Sequence, residues 1–146
     1  MTWSMKKGVM KHTIFDKDHR KIAQISRKMG RYDISDGEGA KILSIVERKP
    51  CHLQIIGSSG SGNAEILLAK ESSYTRPPRA EWLMLQWRDG DFRFQQSPNR
   101  GIRIFQSELE IGIIGDMWKR TVTLELHREE TPEFAALLFA LAHRMF

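Results

Sequence analysis

Six adjacent residues, Gly57-Ser58-Ser59-Gly60-Ser61-Gly62, are of the kind that wraps a phosphate or carries a serine nucleophile. Neither chemistry is completed. A phosphate-binding loop ends in Gly-Lys-Ser/Thr and runs into a helix, so that backbone amides and the lysine converge on the anion. Here Asn63-Ala64-Glu65 and a strand pattern follow. A nucleophile elbow needs Gly-x-Ser-x-Gly, and Ser61 stands where the second glycine belongs. A flexible hairpin loop accounts for the run.

Other chemical groupings stop equally short. The five histidines, His12, His19, His52, His127 and His143, form no HxH, HxxxH or HExxH pair, so no metal-ligand spacing exists. Cys51 is the sole cysteine, which excludes an intramolecular disulfide and reads as a small packed residue. Asp16-x-Asp18 and Asp36-x-Glu38 offer two acids each, where a calcium loop needs acids at further fixed positions. Turn chemistry explains both pairs. Glu108 and Glu110 are expected on one strand face, ~7 Å apart, a separation that hydrolytic carboxylates use, with nothing else to support catalysis. Trp82, Trp87, Phe92 and Phe94 beside Arg88 and Arg93 could stack bases. In a barrel half of them must face the core, so packing is the favoured reading and nucleic acid a disfavoured partner. No catalytic set, metal site or cofactor site emerges, and a non-enzymatic protein is expected.

Charge is distributed unevenly. Residues 1–50 hold twelve Lys/Arg against six Asp/Glu, and the remaining residues hold eleven against twelve. The basic excess thus lies in the first third. It permits an anionic partner, either nucleic acid or an anionic lipid surface, or is simply a solvated hairpin face whose lysines discourage edge-to-edge association. The candidate anion-binding residues are Lys6, Lys7, Lys11, Arg27, Lys28 and Arg31.

The elements that must position these residues are short strands. An internal repeat runs at an offset of 20. Ile14, Asp16, Lys21, Ile22 and Ile25 match Ile34, Asp36, Lys41, Ile42 and Ile45. Each copy reads as strand, polar turn, strand, and two hairpins of one design suggest a meander. Further hairpins follow. In one, Leu83, Leu85 and Trp87 share a face opposite Trp82, Met84 and Gln86, and Arg88-Asp89-Gly90-Asp91 makes the turn. A Pro77-Pro78 break precedes it. Strands are expected within about residues 8–127 of a single domain spanning 1–146.

The pattern then changes. Thr131-Pro132-Glu133 is a helix start, with an N-cap hydroxyl, proline at the first helical position and an acid in the first turn. Nine apolar residues follow, among them Phe134, Leu137, Leu138, Phe139 and Leu141. A helix over about 132–146 with no polar face must be surrounded on all sides. It is too short to span a bilayer comfortably, and no other stretch approaches the ~18 apolar residues required. A barrel of hairpins threaded by this helix satisfies the burial; a dimer interface or a tail anchor are the other arrangements. His143 lies near the helix C-terminus, where a protonated ring would be favoured by the dipole, and a role in stability is expected.

The repeated Ile-x-Asp hairpins, the Glu110-Ile111-Gly112-Ile113 strand and the terminal apolar helix, in that order, resemble the tubby C-terminal-like superfamily over roughly residues 8–146. The closest likeness is to small single-domain members of the LURP-one-related kind. The resemblance implies a mainly β fold, a closed antiparallel barrel of about 12 strands around a central buried C-terminal helix. It also implies function in outline: tubby domains bind phosphoinositide headgroups through exposed Lys/Arg, scramblases add a membrane segment and a calcium site, and LURP-one-like members have no established chemistry. Tubby headgroup residues do not align onto this chain, and none is carried over. The N-terminus lacks an apolar signal core. The expectation is a cytoplasmic, non-catalytic barrel, peripheral at a membrane, binding an anionic lipid headgroup. Alternatives are a protein-interaction barrel and a small-molecule-binding barrel, the last requiring a hollow interior.

Overall fold

In the computed structural model, which describes residues 1–68 and 80–146, twelve strands precede one helix. They are β1 (Thr2–Lys7), β2 (Lys11–Phe15), β3 (Lys21–Lys28), β4 (Arg31–Asp36), β5 (Lys41–Lys49), β6 (His52–Gly57), β7 (Ser61–Leu68), β8 (Ala80–Trp87), β9 (Gly90–Gln96), β10 (Ile102–Gln106), β11 (Leu109–Ile114) and β12 (Thr121–Leu126), followed by α1 (Pro132–Arg144). Each strand pairs antiparallel with its sequence neighbours, and β1 closes the barrel against β12 from Thr2↔Glu125 to Lys6↔Thr121. The expected closed barrel of 12 strands is the observed one. The Pro77-Pro78 break lies outside the described residues.

Strand alternation builds the core. Inward rows such as Trp3/Met5, Ala23/Ile25 and Leu83/Leu85/Trp87 are buried, while the residues between them face out. All nine residues of α1 from Phe134 to Ala142 are buried, including Leu137, Leu138, Phe139 and Leu141. Burying five Leu/Phe side chains contributes on the order of 10 kcal/mol. The interior that a small-molecule-binding barrel would keep hollow is therefore filled by the helix. The helix begins as its sequence demands: Thr131 is extended and its hydroxyl accepts from the Phe134 N–H at 3.2 Å, and Pro132 follows.

The 20-residue repeat is a repeat of hydrogen bonds. Asp16 Oδ1 accepts from the N–H groups of Asp18 and Arg20, and Asp36 Oδ1 accepts from those of Glu38 and Ala40, all at 2.9–3.0 Å. The corresponding fourth residues, His19 and Gly39, both take positive φ, 59° and 92°. A carboxylate that satisfies two turn amides has turn formation as its task.

Several local expectations need correction. A strand precedes residue 8. Only Trp3 and Met5 alternate inward in β1, a weak signal alone, and pairing with both β2 and β12 supplies the rest. The hairpin turn between β8 and β9 is centred on Arg88-Asp89, with Trp87 opposite Gly90 and Arg88 at φ 53°. The glycine run is the hairpin expected, but shorter: the Gly57 N–H bonds the Gly60 carbonyl, and Ser61 and Gly62 already belong to β7. A Cβ on Gly62 would collide with the Gln86 carbonyl of β8, which explains the glycine by close strand approach. Glu108 sits in the turn between β10 and β11, so it shares no strand face with Glu110.

Candidate functional site: a basic cleft where the helix ends

An up-and-down barrel puts alternate turns at opposite ends. The turns β1–β2, β3–β4, β5–β6, β9–β10 and β11–β12 lie at the end where α1 terminates. Opposite them, at the start of α1, Ser59 Oγ donates to Glu133 at 2.6 Å, and Arg88 reaches the same carboxylate at 3.4 Å.

Around the last turn of α1 two hollows open, sharing His143 and Phe146. One, of about 330 Å³, is walled by Arg27 and Lys28 from the end of β3, Arg31 and Tyr32 from the start of β4, Glu47 from β5, and Arg144. The other, of about 490 Å³, is walled by Lys7, Met117 and Trp118. Tyr32 occupies an inward position of β4, and its hydroxyl lies 3.2 Å from His143 Nδ1. The buried His12 packs its ring 4.7 Å from that of His143. Arg144 donates to Glu47 at 2.8 Å, and Glu47 also accepts the Cys51 N–H at 3.1 Å.

These neighbours set the charge states. Burial, reinforced by His12, Lys7 and Arg27, holds His143 down to about 4. His143 is thus neutral near pH 7, not the cation that the helix dipole would favour; desolvation and neighbouring positive charge outweigh a partial charge of about half a unit. Burial likewise lowers His12, with Lys7 and Arg27 adding to the effect, and burial lowers Lys7 against the pull of Asp116. Lys7 Nζ donates to the Met117 carbonyl. Burial raises the Tyr32 phenol. Hydrogen bonding to Arg144 holds Glu47 below the usual carboxylate range.

The six candidate cations divide. Lys7, Arg27, Lys28 and Arg31 reach the two hollows. Lys6 and Lys11 lie on the outer face, opposite Thr13 and Ser26. Lys28 and Arg31 share the Asp33 carboxylate at 4.0 and 2.9 Å, with Lys41 at 3.2 Å and Ser44 Oγ at 2.8 Å. Burial would raise Asp33, but the hydrogen bonds from Ser44, Arg31 and Lys41 prevail and lower it. Three cations on one carboxylate leave a positive remainder. Among the described residues the Arg27 guanidinium has no acidic partner. Arg144, Tyr32 and His143 belong to the same wall and were not among the six. Their signal was position: an inward tyrosine at a strand start, and a basic pair closing an apolar helix.

The remaining groupings resolve as packing. Trp87, Phe92 and Phe94 are buried, while Trp82 and Phe105 sandwich the Arg93 guanidinium at 5.1 and 4.8 Å. Glu110 is held by Arg103. Among the described residues no cluster of three or more His, Cys, Asp or Glu could hold a metal ion, and no helix is long and apolar enough to cross a membrane. A larger concavity of about 650 Å³ lies outside β6–β9, but its Arg48 and Lys49 are balanced by Glu65 and Asp91.

A solved X-ray structure of a protein from Arabidopsis thaliana superposes with a TM-score of 0.62 over 98% of this chain and 89% of that one, at 11% sequence identity. The likeness is one of fold. It is similar in its barrel and carries no statement about activity. No family model matches the chain, and no curated protein matches it in sequence.

Proposed function

We propose that this chain is a non-catalytic, tubby-like binding module that takes a phosphate-bearing anionic headgroup into the basic cleft beside the end of α1. The observation that carries the reading is the convergence of Arg27, Lys28, Arg31 and Arg144 on one cleft of about 330 Å³ in which Glu47 is the one acidic side chain among the described residues. Lys28 and Arg31 share Asp33 with Lys41, and Arg144 pairs with Glu47, so with Arg27 five cations against two acidic side chains leave a positive excess, which outweighs the partial negative charge at a helix C-terminus. Guanidinium forks suit phosphate oxygens two at a time. The resemblance to the tubby C-terminal-like superfamily supports the same class of ligand, and a peripheral, cytoplasmic location accords with it.

Calorimetric titration with soluble inositol phosphates and with inorganic phosphate tests the reading. Binding is expected to weaken steeply with salt, as contacts between fixed cations and phosphate do, and to be lost in Arg27→Gln/Arg31→Gln. Salt-independent binding, or none, would remove it. A second reading, a protein-interaction barrel, draws on the outward Ile56, Leu67 and Met84 of β6, β7 and β8. It expects capture of a partner that survives Arg27→Gln/Arg31→Gln and is abolished by Ile56→Lys or Met84→Lys.

A further inference from the structure

We infer that the anionic ligand is presented by a bilayer, and that the barrel docks by inserting three apolar hairpin tips into it. This inference rests on the headgroup reading and specifies where the headgroup sits. Val9 and Met10 at the β1–β2 turn, Met29 at the β3–β4 turn and Trp118 in the β11–β12 turn are exposed by 103, 69, 102 and 72%. These three hairpins are consecutive around the rim, because β1 pairs with both β12 and β2. All point from the end that holds the basic cleft.

Turn geometry does not call for these residues. In the β3–β4 turn, Gly30 at φ 66° supplies the left-handed conformation, and Met29 adds only apolar surface. The opposite end of the barrel is the internal control. Its turns read Asp16-Lys17-Asp18-His19, Gly37-Glu38-Gly39, Ser58-Ser59-Gly60, Arg88-Asp89 and Ser107-Glu108, with no large apolar side chain among them. Beside them Leu109 at the start of β11 and Met1 are exposed singly, by 68 and 51%, whereas at the other end three consecutive hairpins carry Val9, Met10, Met29 and Trp118 at their tips, with the β5–β6 and β9–β10 turns polar or small.

The surroundings select the occupant. Lys7, Lys11, Arg27, Lys28 and Lys119 stand one or two residues behind the apolar tips, and Lys6 three. Apolar projections with a basic collar complement a surface whose outer layer is anionic and whose next layer is hydrocarbon. Separate projecting side chains need no matched pockets in a fluid bilayer. A tryptophan suits the boundary layer, with an apolar ring and one polar N–H. Trp118 is held for this by Arg100, whose guanidinium lies 4.6 Å from its ring and pairs with Asp116 at 2.9 Å.

The test uses the full chain, vesicles of phosphatidylcholine with and without phosphatidylserine, and soluble inositol trisphosphate. The tip variant is Val9→Ser/Met10→Ser/Met29→Ser/Trp118→Ser, with circular dichroism to confirm folding. Wild type is expected to sediment with the phosphatidylserine vesicles. The tip variant should lose roughly tenfold or more in vesicle affinity while binding inositol trisphosphate normally. Tryptophan emission should shift to the blue with anionic vesicles and be quenched by brominated acyl chains, and Trp118→Phe should abolish both changes. Vesicle binding by the tip variant equal to wild type overturns insertion, as does binding of inositol trisphosphate without vesicle binding; the headgroup reading survives either result. Tip-dependent vesicle binding without inositol trisphosphate binding supports insertion and overturns the cleft. Wild type that binds neither overturns both.

Discussion

Acidification should destabilise this barrel through His143, and the size of the effect follows from its surroundings. The ring packs against His12 and lies beside Tyr32, Lys7, Arg27 and the Arg144–Glu47 pair at the last turn of α1. In the folded chain its pKa falls from 6.5 to about 4. The unfolded chain therefore takes up the proton first as pH drops. Stability from this group is fully present above pH 6.5, declines between 6.5 and about 4, and is flat below. At ~1.4 kcal/mol per pH unit the ceiling is roughly 3 kcal/mol. The ring is only partly buried, and solvent screening reduces this to about 1–2 kcal/mol. His143→Gln keeps a polar partner for the Tyr32 hydroxyl but does not titrate. Guanidinium unfolding at pH 7, 6, 5 and 4.5 should show wild type losing about 1–2 kcal/mol more than the variant, or roughly 3–8 °C in melting temperature. Asp33, Glu47 and Asp116 have lowered pKa values, so their contributions also decline in acid. His12, lowered by burial, Lys7 and Arg27, declines likewise; all four groups are common to both proteins and largely cancel in the difference. Parallel stability curves for the two proteins would refute a His143 held neutral by its partly buried site.

Leu138→Ala should cost about 3–4 kcal/mol in chemical denaturation, because the side chain is fully enclosed. Leu138→Asp should yield no folded protein, since it leaves a charge unpaired inside the barrel; a soluble, cooperatively melting Leu138→Asp would count against the enclosed helix. Gly62→Ala should destabilise by about 1–3 kcal/mol by forcing β7 from β8, whereas Gly39→Asn, at an open left-handed position, should be nearly neutral in the same assay. Asp16→Ala and Asp36→Ala should cost similar amounts, about 1 kcal/mol each, because each removes an acceptor serving two turn amides; unequal losses would break the equivalence of the two repeats.

Much of the architecture was legible because it depends on local periodicity. The inward rows of β8 and β9, the Thr131 cap and the all-round burial of residues 134–142 follow from alternation, capping chemistry and the absence of a polar face. β1 was not legible, since two inward residues specify a strand only when a partner waits on each side. The basic third was visible as composition but not as geometry. Strand parity sends Lys6 and Lys11 outward, while hairpin closure gathers Arg27, Lys28 and Arg31 with Arg144, more than a hundred residues away. The neutrality of His143 was hidden for the same reason: its environment is made by β2, β3 and β4, not by its own helix.

The seam between β1 and β12 has a kinetic consequence. Hairpins joined by short turns can zip up locally, but the seam ties positions as far apart as Met1 and Leu126, whose ammonium and carbonyl meet at 2.7 Å. Such distant pairings accumulate their loop-closure entropy before any contact rewards it. The cylinder should therefore exist first as an open, curling sheet with α1 exposed along its concave side. Completion of the seam and enclosure of the helix then become one late, cooperative event, and interrupting it leaves two unpaired edges and a greasy rod accessible to other copies.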